Sequence, residues 1–141
     1  MKKYLLSGIL FFLYVAAAGQ SRVEKIIRAS MDQQVTCWNS GQIECFMDTY
    51  WNSDSLLFIG KTGVTHGWRN TLNNYKRGYP DTAAMGKLNF TILSIRKLSS
   101  KYYNVIGKWQ LLRSMGNLQG HFTLLFKKIR HRWVIVQDHS S

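Results

Sequence analysis

Few residues in this chain have the chemistry of a catalyst, and Asp138 is the foremost of them. It follows the apolar run Val134-Ile135-Val136 at the end of what reads as a strand. An even-length hairpin loop before that strand pairs Thr123 with Asp138 and sets His121 two residues further along the same face. A carboxylate beside an imidazole in a partly apolar cavity can serve as general base next to a carbonyl, burial lifting its pKa into a useful range. The candidate catalytic pair is therefore Asp138 and His121. A carboxylate that merely caps the strand end, or pairs with an arginine, accounts for Asp138 structurally.

The other histidines offer less. His66 precedes Gly67-Trp68 at an expected helix start, and His139 follows Asp138 directly. No H-x-x-x-H or C-x-x-C spacing occurs, so neither a metal site nor a cofactor is expected. Glycine-rich phosphate loops and the G-x-S-x-G elbow are absent as well. Cys37 and Cys45 stand eight residues apart across a break between two expected helices. An oxidising compartment would allow a bond, but their placement in helices favours two small buried thiols.

Aromatic residues are the larger signal. Trp38, Tyr50, Trp51, Trp68, Tyr75, Tyr79 and Trp109 fall on faces expected to point inward. A pocket lined this way suits a flat apolar ligand, with tyrosine hydroxyls supplying orientation. Core packing alone is the competing explanation for each of them.

The elements that must position these groups follow from periodicity. Ser21-Arg22-Val23-Glu24 matches a capping box, and Val23, Ile26, Ile27, Met31, Val35 and Trp38 then share one helical face up to Ser40-Gly41. Ile43, Phe46, Met47, Tyr50 and Trp51 continue as a second helix. A short strand is expected at 56–60. A third helix should start near Thr65, carry Trp68, Leu72, Tyr75 and Tyr79 on one stripe, and stop at Pro80. The period then changes to two, giving strands at 87–98, 102–113, 118–128 and 132–138. The order of elements predicts an α+β domain over 22–141, in which a curved antiparallel meander wraps three helices around a hollow.

Composition agrees with one folded domain: 141 residues, 45% hydrophobic and 18% charged. Residues 1–18 read as a cleaved signal peptide, with Lys2 and Lys3 before an apolar stretch and Ala16-Ala17-Ala18 behind it. That stretch is too short for a membrane span of about twenty residues. An exported protein, periplasmic or secreted, without a stable membrane anchor is expected. Lys and Arg outnumber Asp and Glu by 19 to 7, a formal charge of +12. The basic residues are spread singly along strands apart from the tip at 127–132, so a solvated basic face is expected rather than a nucleic-acid partner.

The order and spacing of several short motifs resemble one known group. They are Trp38-Asn39-x-Gly41, Tyr50-Trp51-x-Ser53-Asp54, Gly67, Tyr75, Gly107-x-Trp109, Gly120-x-Phe122-Thr123-Leu124 and Trp133-x-Ile135-Val136-x-Asp138-His139-Ser140-Ser141. Together they resemble the SnoaL-like branch of the nuclear transport factor 2-like superfamily, and within it the small secreted group called domain of unknown function 4440. The resemblance implies a cone-shaped α+β barrel, with one short and four long strands packed on three helices of the N-terminal half. A pocket would lie between sheet and helices, and the sheet would commonly form a homodimer. Relatives include ketosteroid isomerases, polyketide cyclases, dehydratases and many non-enzymatic binders, so fold alone fixes no function. The expected function is binding of a small apolar or aromatic ligand. The alternative is an isomerase, cyclase or dehydratase with Asp138 as general base.

Overall fold

A computed structural model describes residues 20–141. The expected signal segment at 1–18 lies outside the described residues. The elements are α1 (Arg22–Asn39), α2 (Ile43–Met47), β1 (Leu57–Gly60), β2 (Gly63–His66), α3 (Trp68–Gly78), α4 (Thr82–Met85), β3 (Lys87–Lys97), β4 (Tyr102–Leu112), β5 (Leu118–Ile129) and β6 (Arg132–Ser140). No helix among the described residues is long and apolar enough to cross a membrane.

Helix α1 starts where Ser21 Oγ accepts the Glu24 amide at 3.2 Å, satisfying a donor that the first turn leaves free. Ile27, Met31, Gln34, Cys37 and Trp38 form its buried stripe, while Ile26, expected inside, stays exposed at the edge of that stripe. At its other end Asn39 holds the strand that follows in space. Its Oδ1 accepts the Leu88 amide at 2.7 Å, and its Nδ2 donates to the Leu88 carbonyl at 3.2 Å.

Cys37 and Cys45 are joined by a disulfide, contrary to the expectation of free thiols. Helix α1 ends at Asn39 and Gly41 takes φ +76°, so α2 folds back and brings the two Cα atoms to 5.5 Å. That separation is within bonding range. Helix α2 is also shorter than expected. It stops at Met47, and Tyr50 leaves the helix to form a bridge with Ile135.

The six strands form one curved, open sheet in the order β2-β1-β6-β5-β4-β3. The four long strands make the expected meander, with helices from the N-terminal half covering its concave face. Two short pieces had no clear sequence signal. The segment 63–66 pairs with β1 as a hairpin, so α3 begins at Trp68 rather than near Thr65. Gly67 makes that corner at φ +86°, a conformation that favours glycine. A single turn, α4, is capped by Asp81, whose Oδ1 accepts the Ala84 amide at 2.8 Å.

Strand β6 is central. It pairs antiparallel with β5 and parallel with β1, which brings Phe58 opposite Asp138. Its register against β5 shifts midway. Phe126 faces Ile135, but Leu125 faces Gln137, leaving Val136 as the extra residue of a bulge. Just before the bulge, the Ile135 backbone is occupied by the α2–β1 connection: Ile135 N–H donates to Thr49 O, and its carbonyl accepts from Trp51 N–H, each at 2.9 Å.

Candidate functional site

The bulge decides which residues can meet. Beyond it Asp138 faces Leu124, and Thr123 faces His139, instead of the expected pairing of Thr123 with Asp138. A one-residue slip in register moves a side chain to the opposite face. Asp138 therefore enters the concave side with Phe122 and Leu124, all buried, whereas His121 lies exposed on the convex side beside Lys108. The structure does not bring His121 to Asp138.

Between the concave face and the helices lies a cavity of about 540 Å³. Strands β3, β4 and β5 contribute Phe90, Trp109 and Phe122, and β1 contributes Phe58. From the helical side come Trp38, Phe46, Tyr75 and Tyr79. Tyr75 lies at the centre of this wall. Its ring meets Phe46 edge-on at 5.3 Å, Phe58 at 5.7 Å and Trp38 at 5.9 Å, and stacks on Tyr79 at 6.2 Å. Such geometries favour aromatic pairs beyond the area they bury.

Gly107 makes part of this wall possible. A Cβ there would stand 2.3 Å from the Phe122 ring and 2.7 Å from the Thr91 carbonyl, so Phe122 lies across β4 only because the side chain is absent. Phe122 then packs edge-on to Phe90 at 5.3 Å.

Of the seven aromatic residues expected in the pocket, Trp38, Tyr50, Tyr75, Tyr79 and Trp109 line the cavity. Trp51 and Trp68 do not. Because α2 ends early, Trp51 falls outside the cone, where Lys127 Nζ lies 6.0 Å from its ring. Trp68 is used as a strut, its Nε1 donating to Met47 O at 2.9 Å. Phe58, Phe90 and Phe122 were overlooked as lining residues. Alternation within their strands was the available signal, since each faces the same side as a lining neighbour on the adjacent strand, Asp138, Trp109 and Ser140 respectively.

Asp138 is 3% exposed and is the one buried charged side chain among the described residues. Tyr50 Oη donates to its Oδ2 at 2.7 Å, and Ser140 Oγ donates to its Oδ1 at 2.7 Å. Burial raises its pKa from the ordinary 3.8 to about 6, against the opposing pull of the Tyr50 and Ser140 hydrogen bonds and of nearby His139. Burial pushes the Tyr50 hydroxyl well above its usual value, and the Asp138 charge and the neighbouring Tyr75 add to this. Tyr75 is raised by burial first and by the Asp138 charge second. At neutral pH the trio is one carboxylate facing phenols that stay protonated. This arrangement can accept a proton or hydrogen bond from a guest in the cavity.

Two further polar groups line the cavity without a partner. Gln34 is 1% exposed, yet its Nε2 makes no hydrogen bond, and the buried Nε1 of Trp109 makes none either. Each such donor costs about 1–3 kcal/mol while unpaired. No group of three or more His, Cys, Asp or Glu able to hold a metal is found among the described residues.

Comparison with known proteins places this architecture. No protein-family model matches the chain, and no curated protein matches it. Among solved structures, an NTF-2 like protein of unknown function from Shewanella oneidensis is 40% identical, covers 83% of this chain and 97% of its own, and superimposes with a TM-score of 0.80. An NTF2-like superfamily protein from Salmonella enterica is 18% identical over 84% of this chain and 89% of its own, with a TM-score of 0.67. A ketosteroid isomerase-like protein from Erwinia carotovora atroseptica is 14% identical over 86% and 97%, also at 0.67. The last two share the fold alone.

Proposed function

The chain belongs to the NTF2-like family, and on that premise we propose that it binds a small, flat, largely apolar molecule in its cone cavity. The observation that carries this reading is an aromatic-walled hollow of about 540 Å³ with a single buried carboxylate, Asp138, hydrogen-bonded into its wall. The volume lies within the range of small-molecule pockets, and apolar walls with a few placed polar groups are their usual construction. Protein purified from its native host and denatured for mass spectrometry should release one such compound in near-stoichiometric amount. A Leu124→Trp variant, filling the hollow beside Asp138, should release none. Retention of the same compound by that variant would defeat the proposal.

A second reading is supported by the position of Asp138 alone: proton transfer next to a carbonyl, as in an isomerase, cyclase or dehydratase. A buried carboxyl with a pKa of about 6 is suited to act as a base near neutral pH. Exchange of α-hydrogens of a cyclic ketone into deuterated water, lost on Asp138→Asn, would support it. Equal exchange in both proteins would sink it.

We further propose that the chain is exported, for which the Cys37–Cys45 bond is the support, since such bonds persist in oxidising compartments. A homodimer through the convex sheet face belongs to the same proposal. Leu93, Ile106 and Leu112 stand exposed on β3 and β4, and sedimentation of the purified protein tests it.

A further inference from the structure

We infer that the molecule held in the cavity carries no negative charge and presents hydrogen-bond acceptors, carbonyl or ether oxygens, that meet Gln34 and Trp109. This rests on the ligand-binding reading above and narrows it to a chemical class.

Two other indoles are satisfied within the fold. Trp38 Nε1 donates to Met85 O at 3.1 Å and Trp68 Nε1 to Met47 O at 2.9 Å. The indole of Trp109 is buried at its nitrogen and has no such acceptor, and the Gln34 amide nitrogen is in the same condition. Both side chains line the one cavity, and they enter it from different walls, Gln34 from α1 and Trp109 from β4. Native proteins rarely leave buried donors unpaired, so two of them on side chains that line one hollow mark where a guest supplies the missing oxygens.

The remaining lining disfavours a negative charge on that guest. Asp138 is largely ionised above pH 6 and already accepts hydrogen bonds from Tyr50 and Ser140. An anionic guest would face its repulsion in a poorly solvated space. The cation among the lining residues is Lys61, which is exposed in the turn between β1 and β2. A neutral acceptor satisfies Gln34 and Trp109 without placing a second negative charge beside Asp138.

The test compares α-tetralone with tetralin, which differ by the carbonyl oxygen, in titrations of the isotope-labelled protein followed by NMR. α-Tetralone, with its one oxygen, should shift the Trp109 indole N–H or the Gln34 side-chain amide resonance, and tetralin should leave both in place. The variant at the donor that shifts, Gln34→Leu or Trp109→Phe, should weaken α-tetralone binding about five-fold, the loss of one neutral hydrogen bond, with tetralin affinity unchanged. Shifts that do not distinguish the two compounds, or variants that weaken both alike, would overturn the acceptor assignment and leave the cavity reading intact. Failure of both compounds to bind the native protein would remove both inferences. The resonance shifts are read on the native chain, so the test does not depend on either variant folding.

Discussion

The Tyr50 hydroxyl donates to Asp138 Oδ2 at 2.7 Å, tying the connection after α2 to the central strand β6. Among the described residues no lysine or arginine pairs with the carboxylate it meets, which has only this phenol, the Ser140 hydroxyl and the nearby His139. Desolvation therefore prevails and the group titrates near 6.

Removing that phenol should raise the value further, because the Tyr50 hydrogen bond favours the ionised form. In a Tyr50→Phe variant, Asp138 is expected to titrate roughly one unit higher, the equivalent of about 1.4 kcal/mol. Carboxyl-carbon NMR across pH 4–8 checks this, and an unmoved midpoint would contradict the bond's role.

Asp138 also makes stability depend on pH. Its folded pKa of about 6 lies above the ordinary 3.8, so the folded state binds its proton more tightly. The contribution is fully present below about pH 3.8 and is lost as pH rises through 6. The stability of the native protein relative to Asp138→Asn should fall by up to about 3 kcal/mol over that interval and level off above it. Denaturant melts at pH 4, 5, 6 and 7 measure the difference, which should not vary if Asp138 is freely solvated.

Much of this scaffold was legible, because α1, α3 and the four long strands bury regular stripes with a steady period. The parts that escaped are those where one residue breaks the period. Val136 bulges out of β6, and that insertion separates His121 from Asp138 although the hairpin end, Ile129 opposite Arg132, has the expected register. Gly63–His66 has no apolar alternation, its residues being mostly exposed, and takes strand form by pairing with β1. The cysteine pair depended on the fold-back at Gly41, which spacing alone could not fix.

The Cys37–Cys45 bond closes a small loop at the α1–α2 corner. Replacing both residues by serine should lower stability by about 2 kcal/mol, chiefly by freeing the unfolded chain. Because Trp38 and Phe46 adjoin the two cysteines and line the cavity, the same change should weaken any bound guest. Calorimetry of the double variant, with and without α-tetralone, tests both effects.

Gly107→Ala should be destabilising by roughly 1–3 kcal/mol, since the new methyl meets the Phe122 ring and the Thr91 carbonyl at less than contact distance. Thermal melts provide the measurement, and Gly107→Ala combined with Phe122→Leu should recover part of the loss. No recovery would mean that the Thr91 backbone, not the ring, sets the limit.

Arg130 occupies the two-residue turn between β5 and β6 with φ +54°, the one non-glycine residue with positive φ among the described residues. That backbone strains an ordinary side chain by about 1 kcal/mol. Arg130→Gly should hold or raise stability by up to about that amount, and a clear drop in the melting temperature would show that the guanidinium makes a contact worth more than the strain.

The parallel pairing of β1 with β6 sets residues 57–59 beside 137–139, whereas the β3–β4–β5–β6 meander joins neighbours in the chain. Contacts between distant segments form late, because a long intervening loop must close before they are rewarded. Folding should thus proceed from the local hairpins outward, with α1 and β1 docking near the end, and the chamber is complete only once both are in place. Until then its aromatic walls stand open to water, so the interval before docking is when this chain is most exposed to aggregation.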